Sequence, residues 1–160
     1  MGEEKPRCLV VVRVRGTVNV RGDVQDTLKL LRLNKVNHAT LIPSTPQYLG
    51  MLQKAKDYIT WGEASKETIL TLLRERGRIV GGEKLTDEYV KKIGFKSLEE
   101  VAAKIYSLEL NLKDLDGVKP VFRLHPPSGG FKKTLKRGFS EGGELGYRGE
   151  DINRLIKRMV

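Results

Sequence analysis

Three short apolar runs, separated by two stretches of helical periodicity, fill residues 8–62 and leave few folds open to the chain. Residues 8–15 (CLVVVRVR) alternate, with Val10, Val12 and Val14 on one face and Arg13 and Arg15 on the other. That pattern predicts a strand with one buried side and one side that turns basic at its end. A turn-rich connection carrying Arg21 leads to Asp23, a residue suited to cap a helix, and Val24, Leu28 and Leu31 then recur at helical spacing as far as Leu33. Residues 34–37 break that helix, and 38–43 (HATLIP) predict a second strand. Thr45-Pro46 places a cap before a proline at the first helical position, so a second helix runs to about Lys56 with Tyr48, Leu49, Leu52 and Ala55 as its stripe. Residues 58–61 (YITW) are β-branched and aromatic and predict a third strand, ended by Gly62. The economical packing of β-α-β-α-β is an α+β sandwich with an antiparallel sheet, close to the ferredoxin-like pattern.

Residues 63–117 read as a helical insertion in the same single domain, which spans 1–160. Ser65 caps a segment with Ile69, Leu72 and Leu73 inward and Gly77 as its stop. Thr86 opens a shorter helix with Val90 and Ile93 inward, ended by Gly94. Ser97 and Glu100 form a capping box ahead of Val101, Ala102, Ile105 and Leu108. Asp116-Gly117 turns the chain into a last section, 118–160, read as a strand, a basic glycine-rich loop and a terminal helix built on Ile152, Leu155, Ile156 and Met159.

The last section carries the chemistry. A β-type run, 121–124, delivers the chain into His125-Pro126-Pro127-Ser128-Gly129-Gly130, and Lys132, Lys133, Lys136 and Arg137 follow with no acid between Val118 and Ser140. Prolines forbid helix and remove donors, while glycines let the backbone approach another surface closely. A packed core could not satisfy such charges and free amides, whereas an anionic polymer could. The whole chain agrees, with a net charge of +10 and a pI near 9.8, which favours nucleic acid over acidic membranes or proteins. Arg13, Arg15 and Arg21 would extend one basic face if the loop packs beside the first strand. Tyr147 and Arg148 join the candidate contacts on the return path. Phe131, Phe139 and Tyr147 are interleaved with these cations, and each could stack on an unpaired base or pin the loop to the body.

Catalytic signals are sparse. One cysteine, Cys8, rules out an internal disulfide and a multi-cysteine zinc site, and its apolar setting suits a small buried side chain. The histidines, His38 and His125, lie far apart in sequence and lack the ligand spacing of a metal centre. Gly129-Gly130-Phe131-Lys132 lacks the spacing of a phosphate loop. No apolar run approaches the ~18 residues of a membrane span and no signal peptide opens the sequence, so a cytoplasmic protein is expected. Two other classes stay open on residues alone. One is a small phosphate-processing enzyme of acylphosphatase-like architecture, with Gly129-Gly130 and Arg123 cradling the anion. The other is a free RNA chaperone or nucleoid protein.

Several stretches together resemble the large-subunit ribosomal protein thirty family in its longer archaeal form, akin to the eukaryotic ribosomal protein seven. They are VRVRGTVNV with DVQDTLKLLRL, VNHATLIPSTPQYLGMLQKAKDYITWGEAS, and FRLHPPSGGF with GELGYRGEDINRLIKRM. The most specific words are Arg15-Gly16 with Val18-Asn19, Trp61-Gly62-Glu63, and residues 123–127. Where such relatives often carry proline before the serine, this chain has Ala64-Ser65, which leaves the cap intact. The resemblance implies a structural constituent of the ribosome, bound to large-subunit ribosomal RNA near 5S RNA and beside other ribosomal proteins. It implies no catalysis, no cofactor and no small-molecule substrate. RNA contact carries over to Arg123, His125 and the Gly129-Gly130 loop, and to Lys132, Lys133, Lys136 and Arg137 where spacing varies among such proteins. The loop is then expected to become ordered only in the particle.

Overall fold

The alternation of residues 8–13 has partners on both sides, and this sets the layering of the molecule. In a computed structural model, which describes residues 6–16 and 20–160, the first strand β1 (Cys8–Arg13) lies inside a six-stranded sheet of order β4-β2-β1-β3-β6-β5. The Val18-Asn19 pair lies outside the described residues. The strands β2 (His38–Pro43) and β3 (Ile59–Glu63) flank β1, both antiparallel to it, and are therefore parallel to each other. Helix α1 (Gly22–Leu30) connects β1 to β2, and α2 (Pro46–Lys54) crosses from β2 to β3. This is the α+β core expected from the sequence. Its boundaries shift by a residue or two: α1 starts at Gly22 and not after Asp23, whose carboxylate instead accepts from the Val24 amide at 2.9 Å.

The sheet then widens. Strand β4 (Phe122–Arg123) pairs with His38 and Ala39 of β2, so the 121–124 run joins the main sheet as one edge. Strand β6 (Gly143–Tyr147) runs parallel to β3, and β5 (Thr134–Gly138) pairs irregularly with β6 to form the other edge. Much of the stretch expected as loop is thus extended chain at a sheet margin.

Cys8, Val10 and Val12 join one apolar cluster and Leu9 and Val11 the other, and with Arg13 all six residues of β1 are buried. Helices α1 and α2 cover the second cluster through Val24, Leu28 and Leu52. The first cluster is covered by α3 (Lys66–Thr71), which runs into a π-helical turn at Leu72–Arg76, and by α4 (Asp87–Lys92), α5 (Leu98–Tyr106) and α6 (Ile152–Met159). The sequence reading gave β1 a buried valine side and a side that turns basic at its end. The side that ends in Arg13 carries Leu9 and Val11 and is covered by α1 and α2, while the 66–106 helices, with α6 packed among them, form a second helical layer over the valine side. Ser65, Thr86 and Ser97 cap α3, α4 and α5 as read, each hydroxyl accepting an amide from the first turn. In the capping box the return arm differs, since Glu100 accepts from the Lys96 amide at 3.2 Å.

Candidate nucleic-acid interface

The HPPSGG segment leaves β4 and fastens onto the end of α6. A helix end leaves carbonyls without intrahelical donors. Here the amides of His125 and Ser128 donate to the carbonyls of Met159 and Arg158 at 3.1 and 2.9 Å, and the His125 Nε2 lies 2.9 Å from the Val160 carbonyl. Arg158 closes the contact by donating to the carbonyls of Ser128 and Gly130. Gly129 and Gly130 take φ of 80° and 74°, a conformation that only glycine adopts cheaply, and the Gly130 amide donates to Pro127 at 2.8 Å. The turn's polar groups are therefore largely committed within the chain.

Beyond the turn the charge becomes available. Lys132 and Lys133 precede β5, Lys136 and Arg137 lie on it, and all four are exposed. None of the four takes part in an ion pair among the described residues. The Lys133 ammonium sits 4.7 Å from the centre of the Phe139 ring, and the Arg148 guanidinium sits 5.0 Å from the same centre. Phe131 packs against the first apolar cluster. Phe131 and Phe139 thus pin the segment, while Tyr147 keeps 53% of its surface exposed and donates its hydroxyl to Glu63 at 2.5 Å.

Two residues expected to touch RNA are buried and hydrogen-bonded within the chain. Arg13 is 1% exposed, and its guanidinium donates to the carbonyls of Leu33, Arg15 and Gly16 at 2.8, 2.9 and 3.2 Å. Arg148 is buried beside Glu144 (3.3 Å) and donates to the Thr60 hydroxyl at 2.8 Å. Their charge is used to satisfy the interior, where an unpartnered carbonyl or carboxylate would be costly. Arg15 is half-buried, with its guanidinium 5.3 Å from the Tyr58 ring centre. Arg21 is exposed and paired with Asp23 at 2.6 Å; that hydrogen bond is the main reason the Asp23 carboxyl titrates down at about 2.

Arg123 is exposed but lies on β4, at the opposite margin of the sheet from β5. Five strand intervals separate the two edges, about 24 Å at the usual spacing. The structure therefore divides the basic stretch between two edges and does not unite it on one face. Of its cations, Lys136 and Arg137 share a cleft with Lys56, a residue the sequence reading left out. Between the end of α2 and the β5–β6 edge lies a depression of about 420 Å³ lined by Lys56, Trp61, Lys136, Arg137, Phe139 and Tyr147, among others.

Residues 9–59 match the family described as Ribosomal protein L30p/L7e. The large ribosomal subunit protein uL30 of Thermofilum pendens is 52% identical to this chain over 152 residues, which is 94% of this chain and 97% of the relative. The uL30 of Nanoarchaeum equitans is 54% identical over 151 residues, 94% and 97% of the two chains. That of Staphylothermus marinus is 51% identical over 161 residues, covering 97% and 99%. The chain belongs to the L30p/L7e family of large-subunit ribosomal proteins. The family match runs from β1 through α2 and ends at the first residue of β3, while the likeness to the archaeal uL30 chains extends over the second helical layer and the carboxy-terminal edge. The resemblance read from VRVRG, TWGEAS and FRLHPPSGG is confirmed on this wider basis.

Lys56, Arg154 and Lys157 are exposed cations that sequence reasoning passed over. For α6 the signal was present. Its apolar residues Ile152, Leu155, Ile156 and Met159 leave Arg154 and Lys157 on the opposite side. For Lys56 no local pattern exists, because its position beside β5 is a tertiary fact.

Proposed function

We propose that this chain is a structural constituent of the cytoplasmic large ribosomal subunit that binds large-subunit ribosomal RNA, near 5S RNA and beside other ribosomal proteins. Lys132, Lys133, Lys136 and Arg137 are its principal phosphate contacts. The observation that carries this reading is the exposure of those four unpaired cations on and before an edge strand. Cations held this way release condensed counterions when they meet phosphate, so affinity falls with salt in proportion to the number of contacts. Arg123 at the far edge, with Arg15, Arg21 and the close-approaching Gly129-Gly130 turn, supplies secondary contacts. His125 acts by seating that turn on α6. The chain works without a cofactor, as a cationic body placed where RNA segments converge.

The test is the salt dependence of binding to large-subunit RNA. Changing Lys132, Lys133, Lys136 and Arg137 together to Ala should lower the steepness of log affinity against log salt by roughly 3 units, if each cation neutralises one phosphate. An unchanged slope would remove β5 from the interface.

A further inference from the structure

The sheet is wider than the helices on one of its sides. Six strands place the outer two about 24 Å apart, and a helix with its side chains is about 10 Å across. On the α1–α2 side, the apolar cluster draws on β1, β2 and β3 alone, through Leu9, Val11, Ile42, Ile59 and Trp61. Nothing in that cluster comes from β5 or β6, so a groove follows the flank of α2. One part is the 420 Å³ cleft described above. A second depression of about 730 Å³ contains Leu9, Pro46 and Leu49, and the two share Gln53, Trp61 and Tyr147.

We propose that this groove takes an unpaired RNA nucleotide, its base stacked on Tyr147 and its phosphates met by Lys56, Lys136 and Arg137. The proposal rests on the ribosomal RNA reading above and adds what kind of RNA is held there. Tyr147 presents more than half its surface, and the bond from its hydroxyl to Glu63 fixes the ring's orientation before any ligand arrives. A ring immobilised in advance loses little entropy on stacking. Lys56, Lys136 and Arg137 make no ion pair among the described residues, so their charge is available to phosphate. Asp57 and Glu141 line the same cleft and offer acceptors to the amino group of a base, the part of a nucleotide that can donate. A paired duplex keeps its base faces stacked inside and presents phosphates, 2′-hydroxyls and base edges, so it would meet the lysines but leave the ring unused.

Trp61 is the single tryptophan and lines both parts of the groove, so its emission reports occupancy separately from total RNA binding. The full chain would be titrated with an oligoadenylate of about 8 nucleotides, within the span of one single-strand groove, and with a blunt RNA duplex of the same length. The oligoadenylate should change Trp61 emission and the duplex should not. Tyr147→Leu should weaken oligoadenylate binding about tenfold, and Tyr147→Phe, which keeps the ring, should retain most of it. Circular dichroism of both variants verifies that they are folded. Parental oligoadenylate affinity in a folded Tyr147→Leu, or emission indifferent to the oligonucleotide, overturns the stacking site. If large-subunit RNA still binds that variant with its normal salt slope, only the nucleotide site has failed. If the parent chain does not bind large-subunit RNA, the functional reading has failed as well.

Discussion

The guanidinium of Arg13 ends a strand whose other members are apolar, and it donates to three backbone carbonyls, those of Leu33, Arg15 and Gly16. Its role is that of an internal staple between the end of β1 and the chain that leaves α1 at Leu33. Removing one partner of a buried hydrogen bond costs the full desolvation of the other. Arg13→Ala should therefore lower unfolding free energy by roughly 2–4 kcal/mol in a urea titration and leave the RNA salt slope unchanged. A stable variant with a shallower slope would return Arg13 to the interface. Alternation alone could not make this distinction. Arg13 and Arg15 share a strand parity and a residue type, yet one is interior and the other packs half-buried against Tyr58. Cys8 was legible by contrast: a lone cysteine in an apolar run is buried at 4% exposure, and burial pushes its thiol up to about 12.

At the scale of elements, local rules carried far. The hydroxyl caps of α3, α4 and α5 depend on contacts within one turn, and Pro46 opens α2 as read, with Thr45 at the N-cap position but without a side-chain capping bond. The phase of α1 was likewise set by its own residues, since Val24, Leu28 and Leu31 are all buried. Leu28 is 1% exposed, so Leu28→Ala should cost on the order of 2–5 kcal/mol through lost contact and a residual cavity. A loss below about half a kilocalorie, the ordinary surface range, would mean that the helix turns a different face inward. What local rules missed was extended structure in a glycine- and lysine-rich stretch. Strand β5 contains Lys136, Arg137 and Gly138, and only pairing with β6 makes it a strand.

The whole molecule is closed by its last residues. Strand β6 pairs with β3 through Thr60 and Trp61, the Arg148 amide donates to the Trp61 carbonyl at 2.8 Å, and Asn153 bonds both the Glu63 carbonyl and the Ser65 amide. Gly62 sits where these strands meet, and a Cβ there would lie 1.8 Å from the Gly149 carbonyl oxygen. Gly62→Ala should therefore cost at least about 1–3 kcal/mol and loosen the 143–160 segment, seen as faster amide exchange there than in β1. Exchange rates equal to the parent's would show that the close approach is not needed. The chain's own periodicities determined its fold class, its helix starts, the β-α-β-α-β core and the basic character of the 119–149 stretch, because these depend on neighbours one to four residues away. Only the tertiary structure decided which arginines lie inside, that β4 and β5 occupy opposite edges, and that α2 leaves a groove beside β6. Those outcomes depend on how many strands the sheet contains and what covers each face, which is settled by contacts between residues as far apart as Thr60 and Gly146.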